Sequence, residues 1–171
     1  MNTFYALVHF PAIITNKINQ LRKEYDPQVN WIAPHITVMF PITGVLEDEQ
    51  PLIDHIQSVL RGWKPFPIHL QGLQHSFDNY LYLTLQKGNT EVVKLHDEMY
   101  TGVLRRYRRD DILFIPHLTL GVFYQDAHKY TQALEQAEKL NLSYHCVLDR
   151  LHLLKFPSYH SPISLSKEFL L

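Results

Sequence analysis

The chain has 171 residues, of which 46% are hydrophobic and 12% aromatic, and its formal net charge is −1 with the histidines neutral. This composition provides enough apolar side chains for a packed core and excludes an intrinsically disordered chain. A net charge so close to zero excludes a global field that attracts nucleic acid, so a polyanionic partner would need a local basic patch. The length predicts either one compact domain or two small lobes that share a core, and we expect a single bilobal domain at residues 1–171.

Alternating apolar patterns predict strands and helices along the whole chain. The predicted elements are a strand at 3–10, a helix at 12–25, a strand at 31–40, a helix at 46–63, strands at 66–76 and 79–86 around a polar turn at 77–79, a helix at 90–107, a strand at 112–124, a helix at 127–140, and closing strands at 142–156 and 163–171. Helical spacing places Ile14 on the apolar face of the first helix and Val103 on that of the third.

The cysteine count and the apolar stretches of the sequence bear on where the protein acts. Cys146 is the only cysteine, which excludes an internal disulfide and a thiolate metal cluster within one chain. The N-terminal residues lack a basic opening and Pro11 interrupts their apolar run, so no signal peptide is expected. No stretch approaches the roughly 18 continuous apolar residues of a membrane span. We therefore expect a cytoplasmic protein that does not contact a membrane.

A short motif occurs twice, as "PHIT" at 34–37 and "PHLT" at 116–119. Side chains alternate across a strand, so His35 and Thr37 share one face, as do His117 and Thr119, while the intervening apolar residues point into the core. A proline donates no backbone hydrogen bond and fits best at a strand start or sheet edge, where a cleft can open. If a pseudo-two-fold axis relates the two lobes, the motifs face each other across one cleft.

Two explanations of the motif are open. A single histidine on a strand is most often structural, with its hydrogen bonds satisfied. The duplication favours acid–base chemistry on a phosphodiester, in which one neutral imidazole takes a proton from water and the other, as imidazolium, protonates the departing oxygen. The threonine hydroxyls can donate to the non-bridging phosphate oxygens as negative charge builds there. The sequence does not decide which histidine is the acid and which the base.

The paired motifs resemble those of the 2H phosphoesterase superfamily, whose signature is two His-x-Thr-x motifs with apolar x. The resemblance is closest to the bacterial 2′-5′ RNA ligase-like branch, of the YjcG type. It is carried by "YDPQVNWIAPHITV", "MYTGVLRRY", "FIPHLTLG" and "DRLHLLKF", which span nearly the whole chain. The resemblance implies an α+β fold with two related lobes, antiparallel-rich sheets around a central cleft and helices outside. It also implies metal-independent chemistry on cyclic or 2′-5′ phosphodiesters of nucleotides or RNA ends.

Other residues are weaker candidates for substrate binding. Arg105 and Arg106 belong to the basic run "RRYRR", which forms either a phosphate-binding rim or a solvated helix end whose cations suit the dipole. Tyr82 could stack a base, although packing within the sheet is the simpler explanation. His152 could reach the cleft or be structural.

No cofactor is expected. The other histidines show no ligand spacing such as His-Glu-x-x-His, which argues against a dedicated zinc site; a metal that bridges His35 and His117 is a third, weaker option. The competing class is a binding module that holds a nucleotide or RNA end without turnover. Two titratable imidazoles favour an enzyme, because arginine or backbone N–H groups would serve phosphate binding better. A 2′-5′ RNA ligase that runs the reverse reaction is a further alternative.

Overall fold

The computed structural model describes residues 3–43, 49–76, 79–158 and 161–171. Eight strands in these residues form one antiparallel sheet in the order β6-β3-β4-β5-β2-β1-β7-β8. The strands are β1 (Phe4–His9), β2 (Ile36–Thr43), β3 (Phe66–His75), β4 (Tyr80–Lys87), β5 (His117–Val122), β6 (Ser143–Leu148), β7 (Arg150–Phe156) and β8 (Ser164–Leu170). None of the helices in the described residues is long and apolar enough to cross a membrane.

The sheet consists of two equivalent halves that meet at its centre. One half has the order β6-β3-β4-β5 and the other, read inward from the opposite edge, has the order β8-β7-β1-β2. β2 and β5 pair through Ile36 and Leu118, the residues between the histidine and threonine of each motif. The arrangement confirms the predicted α+β fold with two related, antiparallel halves.

The described residues form four α-helices: α1 (Asn16–Tyr25), α2 (Gln50–Leu60), α3 (Asn89–Met99) and α4 (Ala127–Leu140). α1, α3 and α4 pack against the sheet, and α2 packs against α3. α1 follows β1 in one half but packs against β5 of the other, and α3 follows β4 yet packs against β2. This exchange encloses the core between the helices and one face of the sheet. Ile36, Val38 and Leu118 are fully buried on that face, as the predicted alternation requires.

Several predicted boundaries were wrong. The first helix begins at Asn16 rather than 12, so Ile14 precedes it and is 78% exposed. The third predicted helix ends at Met99 and is followed by a 3₁₀ helix, Gly102–Tyr107; the change of path leaves Val103 48% exposed. Gly102 has a φ of +49° at this break, a conformation that costs glycine least.

The predicted strands were also too long. The one expected at 142–156 is two strands, β6 and β7, which separate at Asp149. The strand predicted at 31–40 begins at Ile36, because the N–H groups of Trp31 and Ile32 bond to the Gln28 carbonyl in a turn instead of a ladder. The strand predicted at 112–124 covers only His117–Val122. Residues 46–48 of the predicted second helix, and 77–78 of the predicted turn, lie outside the described residues; within them α2 begins at Gln50.

Candidate active site

The two motifs lie side by side at the centre of the sheet. Since Ile36 pairs with Leu118 in antiparallel register, His35 lies across from Thr119 and His117 across from Thr37. All four side chains are partly exposed on the face opposite the core. Diagonal neighbours in such a pair are about 7–8 Å apart, a separation that one phosphate group can span. The structure therefore brings together the four residues that the sequence predicted to share one site.

Each imidazole is held by the same local hydrogen bond. His35 Nδ1 lies 2.9 Å from the Ala33 carbonyl oxygen, and His117 Nδ1 lies 2.6 Å from that of Ile115. A carbonyl oxygen can only accept, so Nδ1 carries the proton in both rings. Nε2 is then the nitrogen that takes up or releases a proton, and the residue two positions before each histidine orients it.

The environment of His35 favours its neutral form. Burial is the main cause that lowers the pKa of His35 to about 4, although part of the residue reaches the surface. The hydrogen bond to the Ala33 carbonyl acts in the opposite direction and raises this pKa. Arg22 and His117 lower this pKa further by charge repulsion, and Asp26 raises it. A neutral imidazole with an accepting Nε2 suits a general base at neutral pH.

The environment of His117 differs. Its ring stacks on Tyr82, with centroids 3.5 Å apart and planes 14° apart. Tyr82 was predicted either to stack a base or to pack within the sheet; it is 8% exposed, and this contact is of the packing kind. The electron-rich face of a tyrosine attracts a cation, so this stack is a contact that an imidazolium ring can use.

A buried ion pair supports the segment before His35. Arg22 is 1% exposed; its Nε donates to Asp26 at 2.7 Å, and Nη2 donates to the Ile32 carbonyl at 2.8 Å. Asp26 in turn accepts from the Gln28 N–H at 2.9 Å. This pair fixes residues 26–32 and thus the start of β2. Sequence reasoning missed it, although Arg and Asp four residues apart on a face with Ile18 and Tyr25 were a visible signal.

Aromatic packing supports the segment before His117. Phe114 stacks on His96 of α3 with ring centroids 3.7 Å apart. His96 also donates from Nδ1 to the Val38 carbonyl, and the Tyr100 hydroxyl accepts from the Phe40 N–H, so α3 holds β2 just beyond its motif. His96 lies in the helix predicted at 90–107, and the sequence indicated no role for it, because a contact between residues so distant in the chain leaves no local signal.

His152 lies beside the His35 side of the cleft. Val8 pairs with both Thr37 and His152, so the three share one face of β2, β1 and β7. The Phe10 ring separates the two imidazoles, with its centroid 5.0 Å from that of His152 and 6.3 Å from that of His35. His152 Nε2 bonds to Glu168 at 3.1 Å. This is the position expected of a substrate-binding residue, and that role stays a prediction.

The basic run carries less free charge than its sequence suggests. Arg108 pairs with Asp97 and Asp110, and Arg109 pairs with Asp111. Arg105 and Arg106 are exposed on the 3₁₀ helix, and Arg106 donates to the Tyr107 hydroxyl at 2.8 Å. No carboxylate within the described part of the chain pairs with these two guanidinium groups. Phosphate binding by them stays a prediction.

The described residues contain no group of three or more His, Cys, Asp or Glu side chains that could hold a metal ion. The rings of His69 on β3 and His145 on β6 stack on each other, with centroids 3.8 Å apart and planes 13° apart. Imidazole lone pairs lie in the ring plane, so two parallel rings cannot direct them at one ion. The expectation of metal-independent chemistry stays a prediction.

Known proteins and a family model are similar to this chain over most of its length. The family model described as the 2′-5′ RNA ligase superfamily matches residues 10–159. A protein of Bacillus cereus B4264 named "Putative phosphoesterase" is 32% identical over 153 residues, which are 87% of this chain and 86% of that protein. A protein of the same name from Bacillus mycoides KBAB4 matches with the same identity and coverage.

Solved structures share the fold. Escherichia coli LigT in complex with 3′-AMP aligns with a TM-score of 0.67 and 17% identity, over 99% of this chain and 97% of that one. TT0787 of Thermus thermophilus aligns with a TM-score of 0.68 and 16% identity, over 100% and 98%. At such identities the likeness concerns the fold alone. The duplicated halves, the paired histidine motifs and the match over residues 10–159 agree: the chain belongs to the 2′-5′ RNA ligase superfamily, the 2H phosphoesterases.

Proposed function

We propose that this chain is a metal-independent phosphodiesterase that opens cyclic, 2′,3′-type phosphodiesters, or cleaves 2′-5′ phosphodiesters, of nucleotides or RNA ends. Its catalytic residues are His35, Thr37, His117 and Thr119. The observation that carries the proposal is that both imidazoles occupy one face of the sheet centre, each with Nδ1 bonded to the carbonyl two residues earlier. Two proton-transfer groups, oriented alike across a gap the size of a phosphate, fit in-line displacement at phosphorus.

The two histidines divide the proton transfers. His35 Nε2 takes a proton from water while the water oxygen bonds to phosphorus. The ring P–O bond breaks on the opposite side, and His117 gives its Nε2 proton to the departing ribose oxygen. The product is a phosphomonoester with a free neighbouring hydroxyl, and exchange with solvent restores both imidazoles. The lowered pKa of His35 and the stack of His117 on Tyr82 support this division.

The threonines stabilise the charge that develops on phosphate. Thr37 lies across from His117 and Thr119 across from His35, so each hydroxyl is beside the imidazole of the other motif. A hydroxyl that donates to a non-bridging oxygen is worth most when that oxygen gains charge in the transition state. The proposal therefore assigns one threonine to each side of the phosphate.

Nucleotides are the substrate class that the comparisons favour. LigT shares this fold, and its structures include complexes with 3′-AMP, NADP+ and ATP. A terminal phosphomonoester such as 3′-AMP is what ring opening of an adenosine 2′,3′-cyclic phosphate would yield. Ligation is the same ring opening with a ribose hydroxyl in place of water, and it is the reverse of cleaving a 2′-5′ phosphodiester to a cyclic phosphate and a free hydroxyl. A cytoplasmic setting, where RNA ends occur, completes the proposal.

Turnover of 2′,3′-cyclic mononucleotides in the presence of EDTA tests the proposal. The wild type should form a phosphomonoester at a rate that EDTA does not change, and His35→Ala and His117→Ala should each lose it. His128→Ala, which removes an exposed histidine of α4, is the matched control. Loss of activity with EDTA and rescue by a divalent ion would make the reaction metal-assisted. Tight binding of the products without turnover would instead favour the binding module.

A further inference from the structure

The two sides of the cleft differ in the space that they leave open. Beside His117 is a cavity of about 170 Å³, walled by Phe40, Leu113 and Ile115 and edged by Gln74. The cavity beside His35 is about 70 Å³, less than half as large. A pseudo-symmetric site thus has one roomy side and one narrow side.

Apolar packing explains the narrow side. Val8, Ile32 and Leu154 form a second, small hydrophobic cluster, against which Phe10 and Ile163 pack. The three cluster residues and Ile163 line the cavity beside His35. The cluster fills space on this side, so the cavity beside His117 leaves more room for a bulky part of a substrate than the cavity beside His35 does.

The lining of the larger cavity has the chemistry of a site for a flat heteroaromatic ring. Phe40, Leu113 and Ile115 offer apolar surface to the faces of such a ring. Leu113 is 78% exposed, and an occupant of the cavity would cover part of it. Gln74 is exposed at the edge, and its carboxamide has no hydrogen-bond partner among the residues that the structure describes. A carboxamide offers one donor and one acceptor, the pattern that reads the edge of a base.

Register places this carboxamide in line with the catalytic groups. Gln74 pairs with Tyr82, and Tyr82 pairs with Thr119, so the three share a row across β3, β4 and β5. The equivalent row in the other half runs from Thr37 through Val8 to His152. Gln74 and His152 thus occupy matching positions, a neutral carboxamide on the roomy side and an imidazole paired with Glu168 on the narrow side.

We infer that the cavity beside His117 binds the nucleobase of the substrate, with Leu113 covering its face and Gln74 reading its edge. The inference rests on the proposed function and adds an orientation to it. The base and its ribose lie on the His117 side, and the attacking water enters on the His35 side. This places the ribose oxygen that departs next to the acid, as the proposed proton transfers require.

The test compares two substrates that differ only in the base: adenosine 2′,3′-cyclic phosphate and ribose 2′,3′-cyclic phosphate. The quantity measured is the ratio of their kcat/KM values. Leu113→Ser should lower this ratio about tenfold, mainly through KM of the nucleotide, because it removes apolar surface that the base covers. Gln74→Ala should change the preference among the four cyclic nucleotides about fivefold. Leu170→Ser, which alters a leucine that is 67% exposed on β8, is the matched control and should leave the ratio unchanged.

Equilibrium binding of 3′-AMP and of ribose 3-phosphate separates this inference from the proposed function. Binding that prefers 3′-AMP and weakens in Leu113→Ser supports the base site even if no cyclic phosphate is turned over. Turnover with equal kcat/KM for the two substrates overturns the base site and leaves the phosphodiesterase standing. A ratio that is insensitive to Leu113→Ser and Gln74→Ala also overturns it. Both leucines are exposed, so their substitution leaves the fold intact.

Discussion

The two halves of the sheet hold the same motif in different surroundings. His35 follows a segment tied down by the buried Arg22–Asp26 pair, and burial lowers its pKa to about 4. His117 follows a segment held by aromatic packing and stacks on Tyr82. The local hydrogen bond from Nδ1 is the same in both. Duplication therefore supplies two imidazoles held by the same local hydrogen bond, and the two differ in their neighbours.

Replacement of either histidine is the largest expected effect. His35→Ala and His117→Ala should each lower kcat/KM on a cyclic phosphodiester by ~10²–10⁴-fold, and the double variant should lose less than the product. The wild-type pH profile should be bell-shaped, with an acidic limb near the pKa of His35, about 4. His35→Ala should lose that limb and His117→Ala the alkaline one. The opposite pattern would reverse the two roles.

The ion pair on the His35 side should matter most for stability. Arg22→Leu should lower the free energy of unfolding by ~3–5 kcal/mol, because it leaves the Asp26 carboxylate buried and unpaired. Denaturant melts measure this loss, and Arg105→Leu, an exposed arginine, should change stability by less than about 0.5 kcal/mol. If Arg22→Leu melts like the wild type, the pair does not hold the segment before His35.

The threonines should be close to equivalent, unlike the histidines. Thr37→Ala and Thr119→Ala should each cost ~1–3 kcal/mol of transition-state stabilisation, the scale of a hydrogen bond to a charged group. Steady-state kinetics should show the loss mainly in kcat, because the bond strengthens as charge develops. An effect confined to one threonine would show that the phosphate lies off the pseudo-two-fold axis.

Removal of the stack on His117 should have a smaller effect. Tyr82→Leu keeps an apolar side chain on β4 but loses a ring contact worth ~0.5–1.5 kcal/mol. Because the tyrosine face stabilises the imidazolium, the alkaline limb of the pH profile should move to lower pH in this variant. If kcat/KM falls in this variant but the alkaline limb of its pH profile does not move, Tyr82 contributes packing and does not stabilise the imidazolium.

A pH dependence of stability from His35 is also expected. Its folded-state pKa, about 4, is below the ordinary value of 6.5, so the unfolded chain binds the proton more readily between these values. Stability from this group is complete above pH 6.5 and is lost as pH falls toward 4. His9 and His96 also have pKa values lowered by burial, so the contribution of His35 is the difference between wild type and His35→Gln. Equal slopes for the two proteins would show that His35 is not desolvated.

Much of the site could be read from the sequence because the motif is local. Alternation along a strand fixes that His35 and Thr37 share a face, and repetition indicates a second copy at His117. The bond from each Nδ1 spans two residues and belongs to the same local pattern. Helix α4 has the bounds predicted for it, Ala127–Leu140. In the structure Asp126 caps it by accepting from the Lys129 N–H, and Asn141 ends it in a left-handed conformation.

The wrong boundaries share a different cause. Segments 31–35 and 112–116 are apolar enough for strands, but the Trp31 and Ile32 N–H groups bond to the Gln28 carbonyl and the Ile112 N–H bonds to the Arg109 carbonyl. The sequence cannot show that a backbone group has found a partner elsewhere. For the same reason, the roles of Arg22 and His96 depend on contacts that a reading of local pattern does not reach.

The sequence by itself determined which groups the candidate site offers: two histidines and two threonines in two copies of one motif, in a chain with an ample core. The tertiary structure decided how these groups differ. Burial around His35, the ring beneath His117 and the apolar cluster that fills one side of the cleft come from residues far apart in the chain. Proton affinity and open volume depend on everything within a few ångströms of a group, and only folding brings that neighbourhood together.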